Sequence, residues 1–274
     1  MRKKRINNII VEGILWILSL IVLVPVFFMF INGLKTPEET LGTLTIALPS
    51  RLDFDNWKSV LEGGGVLRSF LNSFIYASVS VSITCVLSAM ASFVIVRKNT
   101  RLNRFIFLVF LIGMIAPGNI VTTFKTMTVL KLINTYHGLI LLYVAVFTPI
   151  SIFLYNGFIR GLPMELDEAA MIDGASPFVL FWKIIFPLLK PVTVTVFILN
   201  FVSCWNDFYF PLYFLSDSHQ WSVILLLYQY MGQFSQQTNM LFAAASIVIL
   251  PAVLVYILGQ KYIIDGMTAG AVKG

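Results

Sequence analysis

The sequence predicts an all-α protein that crosses a membrane six times, and three observations carry that prediction. First, 58% of its 274 residues are hydrophobic, 12% are charged and the mean hydropathy is +0.87, far from the composition of a soluble domain. Second, six apolar runs approach the roughly 20 residues that a helix needs to cross a bilayer. Third, Lys and Arg are unevenly divided between the segments that join those runs. The same facts exclude other classes. The net charge of +6 sits at the ends of apolar runs rather than on one basic face, so nucleic acid is not an expected partner. Cys85 and Cys204 both lie within apolar runs and read as small core residues rather than as a disulfide or metal pair.

Each element follows from local signals. MRKKR precedes an apolar run at residues 14–31 that is longer than a signal-peptide core and lacks a small-x-small cleavage site, so it reads as an uncleaved first span. Residues 33–68 are polar, carry Pro37, Pro49 and the Gly63-Gly64-Gly65 run, and read as an outer loop. The second span, residues 69–96, is dotted with Ser73, Ser80, Thr84, Ser88 and Ser92, which suit close packing in the bundle interior. The third covers residues 105–121 with a kink at Pro117-Gly118, and the mixed stretch up to His137 reads as interfacial. The fourth covers residues 138–158 and tolerates Pro149. The fifth begins at Lys190-Pro191. The sixth, residues 241–258, carries Ala243, Ala244, Ala245 and Ser246 for close packing and Pro251 as a kink. The expected organisation is a cytoplasmic segment at residues 1–13, a six-span domain at 14–260 and a cytoplasmic tail at 261–274.

Six spans place both termini on one side. With the termini inside, thirteen of the nineteen Lys and Arg fall in inner segments and six in outer ones, the asymmetry of the positive-inside rule. That topology puts residues 163–191, PMELDEAAMIDGASPFVLFWKIIFPLLKP, in the cytoplasm. Pro163 suits a first helical turn, where Glu165, Asp167 and Glu168 meet the positive helix end. Leu166, Ala169 and Ala170 give a small apolar face, while Glu165 and Asp167 read as solvated. Asp173-Gly174 reads as a turn, and Ser176-Pro177 as the cap of a second helix carrying Phe178, Phe181, Ile184 and Ile185. The expected product is a helix–turn–helix elbow.

Enzyme signatures such as HExxH and GxSxG are absent from the sequence, as is the GxxxxGK[ST] phosphate loop, so any ATP is expected on a partner rather than on this chain. An ion-coupled carrier acting alone is the alternative reading. Asp207 is the one acidic residue predicted inside a span.

Glu168-Ala169-Ala170, then Gly174, then Ile184 and Pro187, resemble the EAA signature of binding-protein-dependent ABC importer permeases, with Phe186 where that pattern carries Leu. The Asn72-Ser73-Phe74 triplet, the run from Leu162 to Ser176, Trp205-Asn206-Asp207-Phe208 and the closing Gly270-Ala271-Val272-Lys273-Gly274 are similar to carbohydrate-uptake permeases of the maltose type, over most of the chain from Arg68 onward.

The resemblance implies a type I ABC importer permease in a bacterial inner membrane, not catalytic itself and binding no cofactor. It implies a second homologous permease, an ATPase dimer holding ATP and Mg, an extracytoplasmic solute-binding protein, and a sugar or oligosaccharide as cargo. The elbow would be a coupling helix seated in the ATPase: Glu168 would pair with a basic residue there, Ala169 and Ala170 would let the helix seat deeply, and Gly174 would allow the reversal. Gly270, Lys273 and Gly274 would insert between the ATPase subunits; a disordered end is the other reading. For the cargo path, Trp205, Asn206, Asp207, Tyr209, Phe210 and Tyr213 combine amide, carboxylate and aromatic groups suited to sugars. Tyr209, Phe210 and Tyr213 also fit an interfacial aromatic belt, and Asn206 and Asp207 either line the path or hold two helices together.

Overall fold

A computed structural model of the chain describes residues 2–42, 46–63, 65–116, 118–233 and 238–271. There is no strand among them. The helices are α1 Arg2–Asn32, α2 Pro37–Gly42, α3 Asp55–Glu62, α4 Val66–Arg97, α5 Arg101–Ile115, α6 Ile120–Val129, α7 Tyr136–Ile159, α8 Glu165–Ile172, α9 Pro177–Leu188, α10 Lys190–Trp205, α11 Tyr209–Phe214, α12 Val223–Gln233 and α13 Thr238–Ala271. Four are long and apolar enough to cross a membrane: α1 over Val11–Asn32, α4, α7 and α13 over Thr238–Leu258. The pairs α5 with α6, bent by 117°, and α9 with α10, bent by 73°, bring the number to six when each is counted as one broken span; the second pair includes Pro177–Leu188, which the sequence assigns to the elbow rather than to the fifth span. Pro117, the predicted kink, lies outside the described residues.

The chain forms two compact units. The first comprises Met1–Arg68 and Leu225–Leu250. Here the segment predicted as a plain outer loop contains α2 and α3. The cause is legible after the fact: Thr36-Pro37-Glu38-Glu39 is a capping box. The Thr36 hydroxyl accepts the Glu39 amide at 3.3 Å and the Glu39 carboxylate accepts the Thr36 amide at 3.3 Å. Glu39 also accepts the hydroxyl and, at 2.9 Å, the amide of Ser50, which hold its carboxyl below the ordinary carboxylate range. Asn56 is buried, donates to the carbonyls of Gly33 and Lys35 at 3.0 and 2.8 Å, and accepts from Asn239 at 2.7 Å. Gly33 lies so near α13 that a Cβ there would stand 3.0 Å from the Ala243 amide nitrogen, so the alanines of α13 serve close packing as their composition predicts.

The second unit comprises Ser69–Ile224 and Pro251–Gly274. Both α5 and α10 pack on α7. Ser80, Thr84, Ser88 and Ser92 recur every fourth residue along α4 and are wholly buried. Ser80 and Ser92 donate to the α7 carbonyls of Ile140 and Ile152 at 3.3 and 3.2 Å. The hydroxyl seam thus joins α4 to α7, as its interior position predicts. At the other end of α4, Asn72 donates to the His219 and Trp221 carbonyls at 2.9 and 3.0 Å and accepts the Tyr136 hydroxyl at 2.7 Å, while Ser73 accepts the Val223 amide at 2.9 Å. These bonds fix the 3₁₀ turn Ser218–Gln220.

Candidate functional site

Backbone bonds close both ends of α8, with a capping motif at its C-terminus. Pro163 precedes the helix rather than standing in its first turn, because the Met164 carbonyl closes that turn by accepting the Asp167 and Glu168 amides at 2.9 and 3.2 Å. At the other end Gly174 has φ +81°, its amide bonds to Met171 O at 3.0 Å, and the Ala175 amide bonds to Ala170 O at 2.9 Å. That is a Schellman cap, and it gives the four-residue spacing from Ala170 to Gly174 a mechanical meaning. Ser176 then caps α9 by accepting the Val179 amide at 3.4 Å, with Pro177 in the first turn as the sequence predicts.

Leu180–Ile185, in the middle of α9, is π-helical. Pro187 has no N–H to give the Lys183 carbonyl, and Phe186 N bonds back five residues to Phe181 O. The wider turn gathers Phe181, Trp182 and Phe186, with ring centres 5.1 to 5.7 Å apart. Ile184 is half-buried and Pro187 exposed.

The predicted motif residues divide between the two faces of α8. Ala170 is buried, whereas Glu168, Ala169, Met171 and Ile172 are exposed, Ile172 by 86%. Phe178 on α9 is 68% exposed. Exposed apolar side chains beside the carboxylates of Glu165, Glu168 and Asp173 have the composition of a contact surface. Asp167 corrects the expectation of a solvated acid: it is 5% exposed and faces Arg97 at the end of α4. Arg97 Nε lies 2.8 Å from Asp167 Oδ2 and Nη2 donates to Oδ1 at 3.0 Å.

The residues expected on a cargo path differ in burial and partners. Trp205 is buried, stacked on Phe201 at 5.9 Å and edge-on to Phe70 at 5.2 Å. The Asn206 amide turns back to Val202 O at 3.0 Å. Asp207 accepts the amides of Tyr209 and Phe210 at 2.9 and 3.2 Å and the buried Tyr143 hydroxyl at 2.8 Å, so it caps α11 and ties it to α7. Tyr209 and Tyr213 are exposed and stack at 6.2 Å.

A different surface has polar depth. A cavity of about 1100 Å³ lies among α5, α6, α7 and α10, and Asn119, Thr122, Thr123, Thr126, Asn200 and Ser203 supply its polar lining. Asn200 is buried and donates to Ser151 Oγ at 2.9 Å. The opposite side of α6, with Val121, Phe124 and Thr128, faces a smaller and almost wholly apolar groove that Tyr213 also lines. Gly270 stands inside α13, which runs to Ala271; Lys273 and Gly274 lie outside the described residues.

Residues 85–268 match the family of binding-protein-dependent transport system inner membrane components. The chain belongs to that family. The permease is 31% identical over 278 residues, all of both chains, to the probable starch degradation products transport system permease AmyC of Thermoanaerobacterium thermosulfurigenes. It is 34% identical over 229 residues to the melibiose/raffinose/stachyose import permease MelC of Bacillus subtilis, covering 82% of this chain and 83% of that one. Its fold is that of an ABC importer permease: it matches a chain in the crystal structure of a bacterial ABC transporter involved in alginate import with a TM-score of 0.84 at 21% identity, over 96% of this chain and 98% of the other.

Sequence reasoning missed Arg97, which counts only as one more inner-loop cation, and the cavity residues of α6 and α10. The Asn119-x-x-Thr122-Thr123-x-x-Thr126 spacing, polar on one side of an apolar helix, is the signal that points to the cavity.

Proposed function

We propose that this permease carries an oligosaccharide across a bacterial inner membrane within an ATP-driven importer, and that α8 is its contact with the ATPase. Both termini and the elbow lie in the cytoplasm, a second homologous permease completes the path, ATP and Mg are held by a separate ATPase dimer, and an extracytoplasmic protein delivers the cargo. The observation that carries this reading is the elbow itself: a Schellman-capped helix exposing Glu168, Ala169 and Ile172, with Ala170 turned inward to hold it close to its own bundle. A cytoplasmic carboxylate on a small-residue surface suits a basic groove, and a close charge pair at such an interface contributes about 1.5 kcal/mol or more.

The oligosaccharide class is supported by the names of relatives such as AmyC and MelC and by the cavity, whose volume lies at the upper end of the ~300–1,000 Å³ range of ligand sites. Thr122, Thr126 and Asn200 offer hydroxyl and amide partners for sugar hydroxyls, among apolar residues that suit C–H faces. Asp207, the one acid that an ion-coupled carrier would use, is engaged as a helix cap.

The test is uptake into proteoliposomes holding the complete complex and its binding protein, with raffinose, maltotriose and trehalose as probes. Uptake of at least one should require ATP, fall with Glu168→Ala, and fall with Asn200→Leu while ATPase binding stays intact. Uptake driven by an ion gradient without ATP would overturn the reading.

A further inference from the structure

We propose that Arg97 is a positioning residue that locks α8 to the end of α4, so that the elbow and α4 move as one body. The inference rests on the elbow being the ATPase contact. By chain connectivity alone α8 hangs between α7 and α9, and glycine stands at both joints, Gly161 before it and Gly174 after it. Without a link to α4, a force on α8 would pass to the bundle only through these two turns and the packing of α8 on the π-helical stretch of α9.

The Arg97 guanidinium bypasses both. Nη1 donates to Leu162 O at 3.2 Å and Nη2 to Pro163 O at 3.4 Å, on the segment entering α8, and Nη2 also reaches Asp167 Oδ1 at 3.0 Å in the first turn. Both side chains are nearly closed to solvent, 9% and 7% exposed, where removal of one charge leaves the other buried and unpaired. One turn earlier on α4, Phe93 packs against Phe181 in the π-helical stretch of α9 with ring centres 5.5 Å apart. The end of α4 therefore holds both arms of the elbow. The hydroxyl seam carries the connection on, since Ser92 bonds to Ile152 on α7. Several donors spread over one planar fork are needed to reach two carbonyls and a carboxylate together, which a lysine ammonium does not match.

The experiment places nitroxides at Glu165→Cys on α8 and Met90→Cys on α4, in a Cys85→Ala, Cys204→Ala background, within the full complex in proteoliposomes. With Arg97 present, the distance distribution should be narrow and should stay so with ATP and vanadate. Arg97→Ala and Asp167→Asn should broaden it, Arg97→Lys should give an intermediate width, and the Arg97→Asp/Asp167→Arg exchange should narrow it again. In the unlabelled complex, ATP hydrolysed per raffinose taken up should rise about tenfold in Arg97→Ala, equivalent to ~1.4 kcal/mol of lost coupling, and return toward the parent value in the exchange variant. A merely structural pair would lower both rates together and leave their ratio unchanged. A narrow distribution or an unchanged ratio in Arg97→Ala overturns the lock. Should that variant not assemble, Arg97→Lys and Asp167→Asn decide the same question. If the parent complex shows no ATP-dependent raffinose uptake, the import reading is at fault for that sugar, and the distances still decide the lock.

Discussion

Gly174 offers a test in which the backbone alone is at stake. Its φ of +81° lies in the left-handed region, yet a Cβ built there meets nothing within 4 Å. Substitution therefore costs conformational strain without a clash, about 1–2 kcal/mol for an ordinary side chain. That cost falls on the Schellman cap, whose bonds from Gly174 N and Ala175 N measure 3.0 and 2.9 Å. A penalty of this size lowers the ratio of the native turn to its alternatives by a factor of roughly 5–30. Asparagine tolerates the left-handed region and valine does not, so the order of damage should be Asn, then Ala, then Val. The assay is binding of the ATPase subunit to the permease in lipid nanodiscs, with hydrogen exchange at the Ala175 amide as a local reporter. Exchange at the Ala175 amide should accelerate by about 5–30-fold in Gly174→Ala, less in Asn and more in Val, and affinity should fall in the same order by at most that factor. If Val proves no worse than Asn, or if binding weakens while the Ala175 amide stays protected, the backbone argument is wrong.

Two further positions test the frame that holds the site. Gly138→Ala would place a Cβ 2.0 Å from Leu132 O and 2.7 Å from Thr135 Oγ1, the residue that caps α7 by accepting the Gly138 amide; overpacking and the lost cap together should cost about 2–4 kcal/mol, read as a lower unfolding temperature of the purified permease. Asp207→Ala should cost about 2–4 kcal/mol because two amides and the buried Tyr143 hydroxyl lose their acceptor, whereas Tyr143→Phe, which leaves the α11 cap in place, should cost about 1 kcal/mol; equal losses in the two variants would refute the cap.

Much of the elbow is legible because caps are local. Ser176-Pro177 and Asp173-Gly174 act on amides and carbonyls within a few residues, so their order along the chain is enough to place them. The same local logic operates in Thr36-Pro37-Glu38-Glu39, where a capping box turns a polar segment expected to be loop into helix. Asp167 shows the limit: its position among three acids at a helix start looks solvated, and only the packing of α8 beside the end of α4 buries it.

The sequence by itself determined the all-α membrane class, the position of the elbow along the chain and the family, since each is written in apolar run length or short spacing. Tertiary structure decided which polar residues matter together. Arg97 meets Asp167 across 70 residues of sequence, Tyr143 meets Asp207 across 64, and Thr122 shares a cavity with Asn200. In a membrane bundle such pairings are set by which helices lie side by side, and apolar spans of similar length carry little information about their neighbours.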